Sequence, residues 1–142
     1  MDLNVLVVDD SAVMRAMIIK TLRLCGLSLG EIYQAGHGAE ALELLNEAAI
    51  DLALVDLNMP VMDGEELIEA IRSRADTREL PVVVVSTEGS FTRIALLRSK
   101  GAEFVHKPFT PEVLRETVLE TLGGSYDYEA TGGSVPSGGS DF

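Results

Sequence analysis

Three apolar runs of the sequence each end in charged residues whose types suit metal and phosphate chemistry. Asp9 and Asp10 end the first run, Asp56 ends the second, and Lys107 follows the third. Because all strands of a parallel sheet point their carboxyl ends to one edge, side chains from distant parts of the chain can meet there. Carboxylates suit a divalent cation such as Mg²⁺, and an ammonium group suits a phosphoryl oxygen. The pattern predicts one site for both.

The same residues allow a covalent role for one of the acids. Carboxylates at close range repel each other, which raises their pKa values or requires a cation. A carboxylate beside a metal can accept a phosphoryl group and form an aspartyl-phosphate, and the Ser86 hydroxyl can donate a hydrogen bond to that anion. Taken alone, Asp9 and Asp10 fit a turn or a helix cap better than a metal site. The presence of Asp56 and Lys107 favours the metal site.

The elements that would position these residues alternate between strand and helix. The predicted strands are Asn4–Val8, Glu31–Ala35, Leu52–Asp56, Val82–Ser86 and Glu103–His106. The first, third and fourth are apolar runs without alternation, which is typical of strands buried on both faces. Five strand–helix repeats with right-handed crossovers predict a doubly wound α/β domain.

Capping residues mark the predicted helix ends. Ser11, Ser90 and Thr110 suit N-caps, and Gly26 and Gly101 suit helix C-terminal ends. Gly64 is expected to precede the third helix. The buried faces predicted for the first and last helices are Met14, Met17, Ile18, Thr21 and Leu22, and Val113, Leu114, Thr117, Val118 and Thr121.

Composition narrows the class of protein. The 142 residues suffice for one domain, predicted over residues 1–122, and residues 123–142 are predicted to form a flexible acidic tail rich in Gly and Ser. No stretch is long and apolar enough for a membrane span, and no signal peptide is expected. The net charge of −12 disfavours direct binding to nucleic acid or anionic membranes. The single Cys25 fits a reducing cytoplasm.

In this order and at these strand ends, the motifs resemble a response-regulator receiver domain of the CheY type. The matching residues are Asp9-Asp10-Ser11, Asp56 to Pro60, Asp63-Gly64, Ser86-Thr87-Glu88, Phe104 and Lys107-Pro108-Phe109. The resemblance covers roughly residues 3–122. It implies a flavodoxin-like five-stranded parallel sheet in the order 2-1-3-4-5 with five helices, an order that CheY itself exemplifies.

The resemblance also implies roles for the acidic residues. Asp56 would accept a phosphoryl group from a phosphohistidine of a sensor histidine kinase. Asp10 and Asp56, with the backbone carbonyl of Asn58, would hold Mg²⁺, and Asp9 would contact the ion mainly through water.

The remaining site residues would act on the phosphoryl group or respond to it. Lys107 would bind it, and Ser86 would swing toward it after transfer. Phe104 would then turn inward and remodel the face made by the fourth helix, fifth strand and fifth helix. Thr87 stands where Ala or Gly is usual in the family and would narrow access to the phosphoryl group. Asn58 and Glu88 occupy variable positions that tune the site.

These residues predict a single-domain response regulator that phosphorylates and slowly dephosphorylates itself without turning over an external substrate. The expected output partner is a protein target that binds after phosphorylation, and chemotaxis or motility signalling is the first expectation. A phosphatase is a further candidate partner. A role as a phosphorelay intermediate or as a regulator of a separate effector protein remains open.

Two other classes of protein fit the sequence less well. A Mg²⁺-dependent phosphatase would need an Asp where Asn58 stands, and the two acids after the first strand would repel a flavin phosphate.

Overall fold

The computed structural model describes residues 2–123, in which five strands alternate with five helices. The strands are β1 (Leu3–Val8), β2 (Leu29–Ala35), β3 (Leu52–Val55), β4 (Val82–Ser86) and β5 (Ala102–His106). The helices are α1 (Ala12–Leu24), α2 (Gly38–Glu47), α3 (Gly64–Ser73), α4 (Phe91–Ser99) and α5 (Pro111–Leu122). The predicted tail lies outside the described residues except for Gly123.

The strands form one parallel sheet in the order β2-β1-β3-β4-β5. The predicted flavodoxin-like order is confirmed. β1 and β3 are neighbours, with Val8 opposite Val55. The strand order reverses at this pair, and ligands of such sheets bind in the crevice at the carboxyl ends beside the reversal. The two strands that precede the predicted acids therefore end side by side.

Both faces of the sheet are buried. Leu6 and Val8 of β1 pack in one apolar cluster with α2, α3 and α4, whereas Val5 and Val7 pack in a second cluster with α1 and α5. β3 and β4 divide their residues between the clusters in the same way. Each fully buried Val or Leu stabilises the fold by about 1.5–3 kcal/mol relative to an exposed one. The prediction from the non-alternating runs is confirmed.

Local capping signals fix most helix ends as predicted. The side chains of Ser11, Ser90 and Thr110 each accept a hydrogen bond from the backbone N–H three residues later. Gly26 and Gly101 have φ of +77° and +80°, a region that glycine enters without steric cost. These local signals therefore mark the N-terminal ends of α1, α4 and α5 and the C-terminal ends of α1 and α4, where Arg115 and Arg72 add tertiary hydrogen bonds to the Cys25 and Lys100 carbonyls.

The predicted faces of α1 and α5 need correction. On α1 the buried residues are Ile18 and Leu22, whereas Met17 is 56% exposed. On α5 the buried residues recur every fourth position and continue to Leu122, which leaves Val113 exposed. Adjacent positions of a helix point about 100° apart. When Ile18 and Leu114 face the sheet, their neighbours Met17 and Val113 therefore point away from it.

None of the helices in residues 2–123 combines the length and the apolar character that a membrane span requires.

Candidate functional site

The predicted acids converge at the carboxyl edge of the sheet. Because Val8 lies opposite Val55, the following residues Asp9 and Asp56 leave the sheet together, and the Asp56 N–H donates to the Val8 carbonyl at 2.9 Å. Carboxylate oxygens of Asp9, Asp10 and Asp56 lie within 4.8 Å of one another. Opposite ligands of one Mg²⁺ stand roughly 4.2 Å apart. The spacing suits one ion that binds some of these groups directly and the others through water.

Lys107 brings a positive charge to this cluster from β5. Its Nζ lies 3.4 Å from Asp9 Oδ2 and 3.5 Å from Asp56 Oδ1. The side chains of Lys107, Asp9 and Asp56 are only 15%, 3% and 8% exposed. The Lys107 N–H donates to the Ser86 carbonyl at 2.8 Å, and the Lys107–Pro108 peptide bond is cis. The ammonium therefore sits between two largely buried carboxylates.

Within residues 2–123, the carboxylates of this cluster outnumber the ammonium group that contacts them. Asp9, Asp10 and Asp56 supply three carboxylates, whereas Lys107 supplies one ammonium. Burial raises the pKa of Asp56 above its ordinary value, and the Asp9 carboxylate raises it further, while Lys107 opposes both effects and Asp10 adds a smaller rise. Hard oxygen ligands with an excess of negative charge are the donor set that Mg²⁺ prefers. The residues present fit that ion.

Asp9 is held more firmly than the other two acids. Its Oδ1 accepts the Ser11 N–H at 2.9 Å, and its Oδ2 faces Lys107. Arg15 donates to the Asp9 backbone carbonyl at 2.6 Å and to the Gln34 side chain at 3.0 Å. Both Asp9 oxygens thus have protein partners, whereas Asp10 is exposed. This Arg15 contact depends on how α1 packs beside β2, so no sequence pattern indicates it.

The loop after β3 is held by the start of α3. The structure places Gly64 as the first residue of α3, not ahead of it as predicted, and the N-cap is Asp63. Asp63 and Glu66 form a capping box, each side chain accepting the other's backbone N–H. A Cβ at Gly64 would lie 2.4 Å from the Asp56 carbonyl oxygen. Only glycine lets α3 approach the backbone of Asp56 this closely.

The other predicted site residues lie on β4 and β5 or in the loops that follow β3 and β4. Ser86 is fully buried, and its Oγ accepts the Glu88 N–H at 3.1 Å. Asn58 and Thr87 are exposed. Phe104 is half-buried against the cluster formed with α2, α3 and α4, with its ring centroid 6.2 Å from that of His106. The structure thus unites the three acids with Lys107.

Comparison with known proteins identifies the fold and the family together. The family model of the response regulator receiver domain matches residues 5–119, most of the chain. The chain belongs to the response-regulator receiver family. CheY1 of Helicobacter pylori, a chemotaxis protein, is 37% identical over 123 residues, which cover 85% of this chain and 98% of that protein. A CheY homologue of Campylobacter jejuni is 36% identical over 123 residues, 85% of this chain and 93% of the homologue.

Solved receiver structures agree with the fold described above. CheY4 of Vibrio cholerae superimposes with a TM-score of 0.76 at 35% identity, covering 86% of this chain and all of that one. The predicted resemblance to CheY-type receivers is confirmed. Receiver domains of this type act in phosphoryl-acceptance signalling, and the acidic cluster of this receiver lies at the edge of the sheet where its fold binds ligands.

Proposed function

We propose that this receiver accepts a phosphoryl group on Asp56 from the phosphohistidine of a sensor histidine kinase, in a Mg²⁺-dependent reaction. The observation that supports it most directly is the convergence of three carboxylates within 4.8 Å beside Lys107. Asp56 is the best acceptor of the three. Both Asp9 oxygens have protein partners, and Asp10 is exposed.

The transfer itself needs little from the protein beyond position and charge. An Asp56 oxygen attacks phosphorus while the bond from phosphorus to the donor imidazole breaks, and its electron pair returns to the nitrogen. Lys107, 3.5 Å from Asp56 Oδ1, neutralises charge on the transferred group. Asp10, Asp56 and the Asn58 carbonyl would hold the ion, with Asp9 contacting it through water. Bound Mg²⁺ would offset the charge that the phosphoryl group adds to an already acidic site.

The output would pass through protein contact. Ser86 would move toward the phosphoryl group and Phe104 would turn inward, which would alter the face made by α4, β5 and α5 for a protein target. Chemotaxis or motility is the expected setting, because the relatives described above are chemotaxis proteins. A phosphorelay intermediate and a regulator of a separate effector are the alternatives. Thr87, Asn58 and Glu88 would tune reaction rates, including those with a phosphatase.

Substitution of the acceptor tests this proposal. Asp56→Asn removes the nucleophilic oxygen and keeps the shape of the side chain, so we expect labelling by acetyl phosphate with Mg²⁺ to disappear. Intact-mass spectrometry measures the labelled fraction. Asp76→Asn is the matched control, because Asp76 is an exposed acid paired with Arg74 in the loop after α3. Full labelling of Asp56→Asn, or loss of labelling in both variants, would contradict the assignment.

A further inference from the structure

Arg93, in the first turn of α4, joins two other parts of the receiver through its guanidinium. Its Nε lies 3.0 Å from Glu65 Oε2 in the first turn of α3, and a second nitrogen lies 3.4 Å from Glu65 Oε1. Its third nitrogen lies 2.8 Å from Glu88 Oε1 in the β4–α4 loop. The three side chains are 29%, 29% and 21% exposed. This is a partly shielded, two-sided clamp between α3 and the β4–α4 loop.

The clamp connects directly to the Ser86 hydroxyl. The backbone N–H of Glu88 donates to Ser86 Oγ at 3.1 Å. The Glu88 side chain also accepts the Ser90 N–H at 3.0 Å, and Ser90 Oγ accepts the Arg93 N–H at 3.3 Å. The Glu88 carboxylate therefore has one oxygen on the loop and the other on Arg93. Any movement of the Glu88 amide away from Ser86 must disturb this ring of contacts.

The charges of Glu88 and Arg93 and the space around Gly89 are both compatible with a clamp that can open. The Ser90 N–H, and then Arg93, lower the pKa of Glu88, and Glu65, followed by Glu88, raises the pKa of Arg93. Both groups are thus stabilised in their charged forms. A Cβ at Gly89, in the same loop, would meet nothing within 4 Å. The loop has room to move once the charges release it.

We propose that Arg93 is a positioning residue that acts on Ser86 through Glu88. Its ion pairs hold the β4–α4 loop in the conformation in which Ser86 Oγ is bonded to the Glu88 amide. That bond opposes movement of the hydroxyl toward Asp56, so the clamp lowers the affinity of the receiver for a phosphoryl group. A contact that stabilises only one of two conformations shifts their equilibrium by its own differential free energy. The inference rests on the proposed phosphorylation of Asp56.

Binding of beryllofluoride with Mg²⁺, a mimic of the acyl phosphate, tests the positioning role by titration calorimetry. Partly exposed ion pairs are modest, so we expect Arg93→Ala to lower the dissociation constant by about threefold to tenfold. Glu65→Gln, which breaks only the α3 side of the clamp, should produce a smaller change in the same direction. Arg98→Ala is the matched control, since Arg98 lies on the same helix and, in the part of the chain that the structure describes, forms its ion pair with Glu103 and not with the clamp. Its affinity should equal that of the wild type.

Hydrogen exchange of the Glu88 amide in the protein without beryllofluoride supplies a second, independent readout. Exchange should be faster in Arg93→Ala than in the wild type and unchanged in Arg98→Ala. An unchanged or weaker affinity in Arg93→Ala would overturn the positioning role, whatever the exchange rates. A wild-type protein that fails to bind beryllofluoride would overturn the proposed function instead, so the two failures are distinguishable.

Discussion

Asp56 carries its negative charge in a setting that opposes that charge. Its carboxyl is largely buried beside Asp9, and its pKa is raised for both reasons. A carboxyl with a raised folded-state pKa binds protons more readily folded than unfolded, so its charge destabilises the fold at neutral pH. That destabilisation disappears as the pH falls from above the folded-state pKa to below the ordinary value of 3.8. The charge of Asp56, the proposed phosphoryl acceptor, thus lowers the free energy of unfolding at neutral pH.

Removing that charge should stabilise the receiver. In Mg²⁺-free buffer at pH 7, we expect Asp56→Asn to raise the free energy of unfolding in urea by on the order of 1 kcal/mol. The gain should shrink at pH values below the ordinary carboxyl pKa, where Asp56 is protonated in the wild type. Asp76→Asn should give no such gain, because Asp76 is an exposed acid whose pKa is lowered by its bond to Arg74. A less stable Asp56→Asn at pH 7 would contradict the charge argument.

At the scale of elements, the approach of α3 to β3 determines where Asp56 points. The Gly64 N–H donates to the Leu57 carbonyl at 2.9 Å, and the Asp63 capping box fixes the first turn of the helix. The atoms nearest to a Cβ at this position are backbone atoms of Asp56 and Leu57, which cannot move aside as a flexible side chain would. The close packing of α3 on the end of β3 and the position of the Asp56 backbone therefore depend on each other.

Gly64→Ala should damage both the fold and the site. We expect the free energy of unfolding to fall by about 1–3 kcal/mol, the usual cost of overpacking, and labelling by acetyl phosphate to slow because the Asp56 backbone is displaced. Urea denaturation and intact-mass kinetics measure the two effects. Gly89→Ala is the stability control, since its Cβ would meet nothing within 4 Å. Equal stability of the two alanine variants would rule out the close approach.

The sequence predicts the helices and strands better than it predicts the contacts between them, because local signals mark the elements. The caps at Ser11, Ser90 and Thr110 depend on hydrogen bonds within four residues, so the sequence displays them directly. The Arg93–Glu65 pair joins positions 28 apart, and no spacing rule indicates it. Apolar periodicity includes Met17 in the helix face but does not say how wide the covered face is, and Met17 is exposed. The acids of the site were predictable because strand ends in a parallel sheet share one edge.

At the scale of the whole molecule, the core reaches the end of α5. Leu122 is buried in the cluster formed with α1 and β5, one residue before the last described residue. A buried Leu contributes several kcal/mol when its neighbours cannot collapse into the space it leaves. The folded domain therefore extends at least to Leu122.

Truncation tests this domain boundary. A chain ending at Gly123 should keep the unfolding free energy of the full chain to within about 0.5 kcal/mol, the range of changes away from packed features. Leu122→Ala in the same truncated chain should lower it by about 2 kcal/mol or more. Urea denaturation compares the three proteins. A large loss on truncation alone would place part of the predicted tail in the stable fold.

The separation of Asp9 and Lys107 along the chain has a consequence for synthesis. These partners stand 98 positions apart, and β5 is the last strand along the chain. A nascent chain that has formed β1 and β3 already holds the acids but not their counter-charge. Long-range pairing of this kind slows folding, because the intervening chain must first be brought together. The acids and Lys107 can therefore meet only after almost the whole domain has been synthesised.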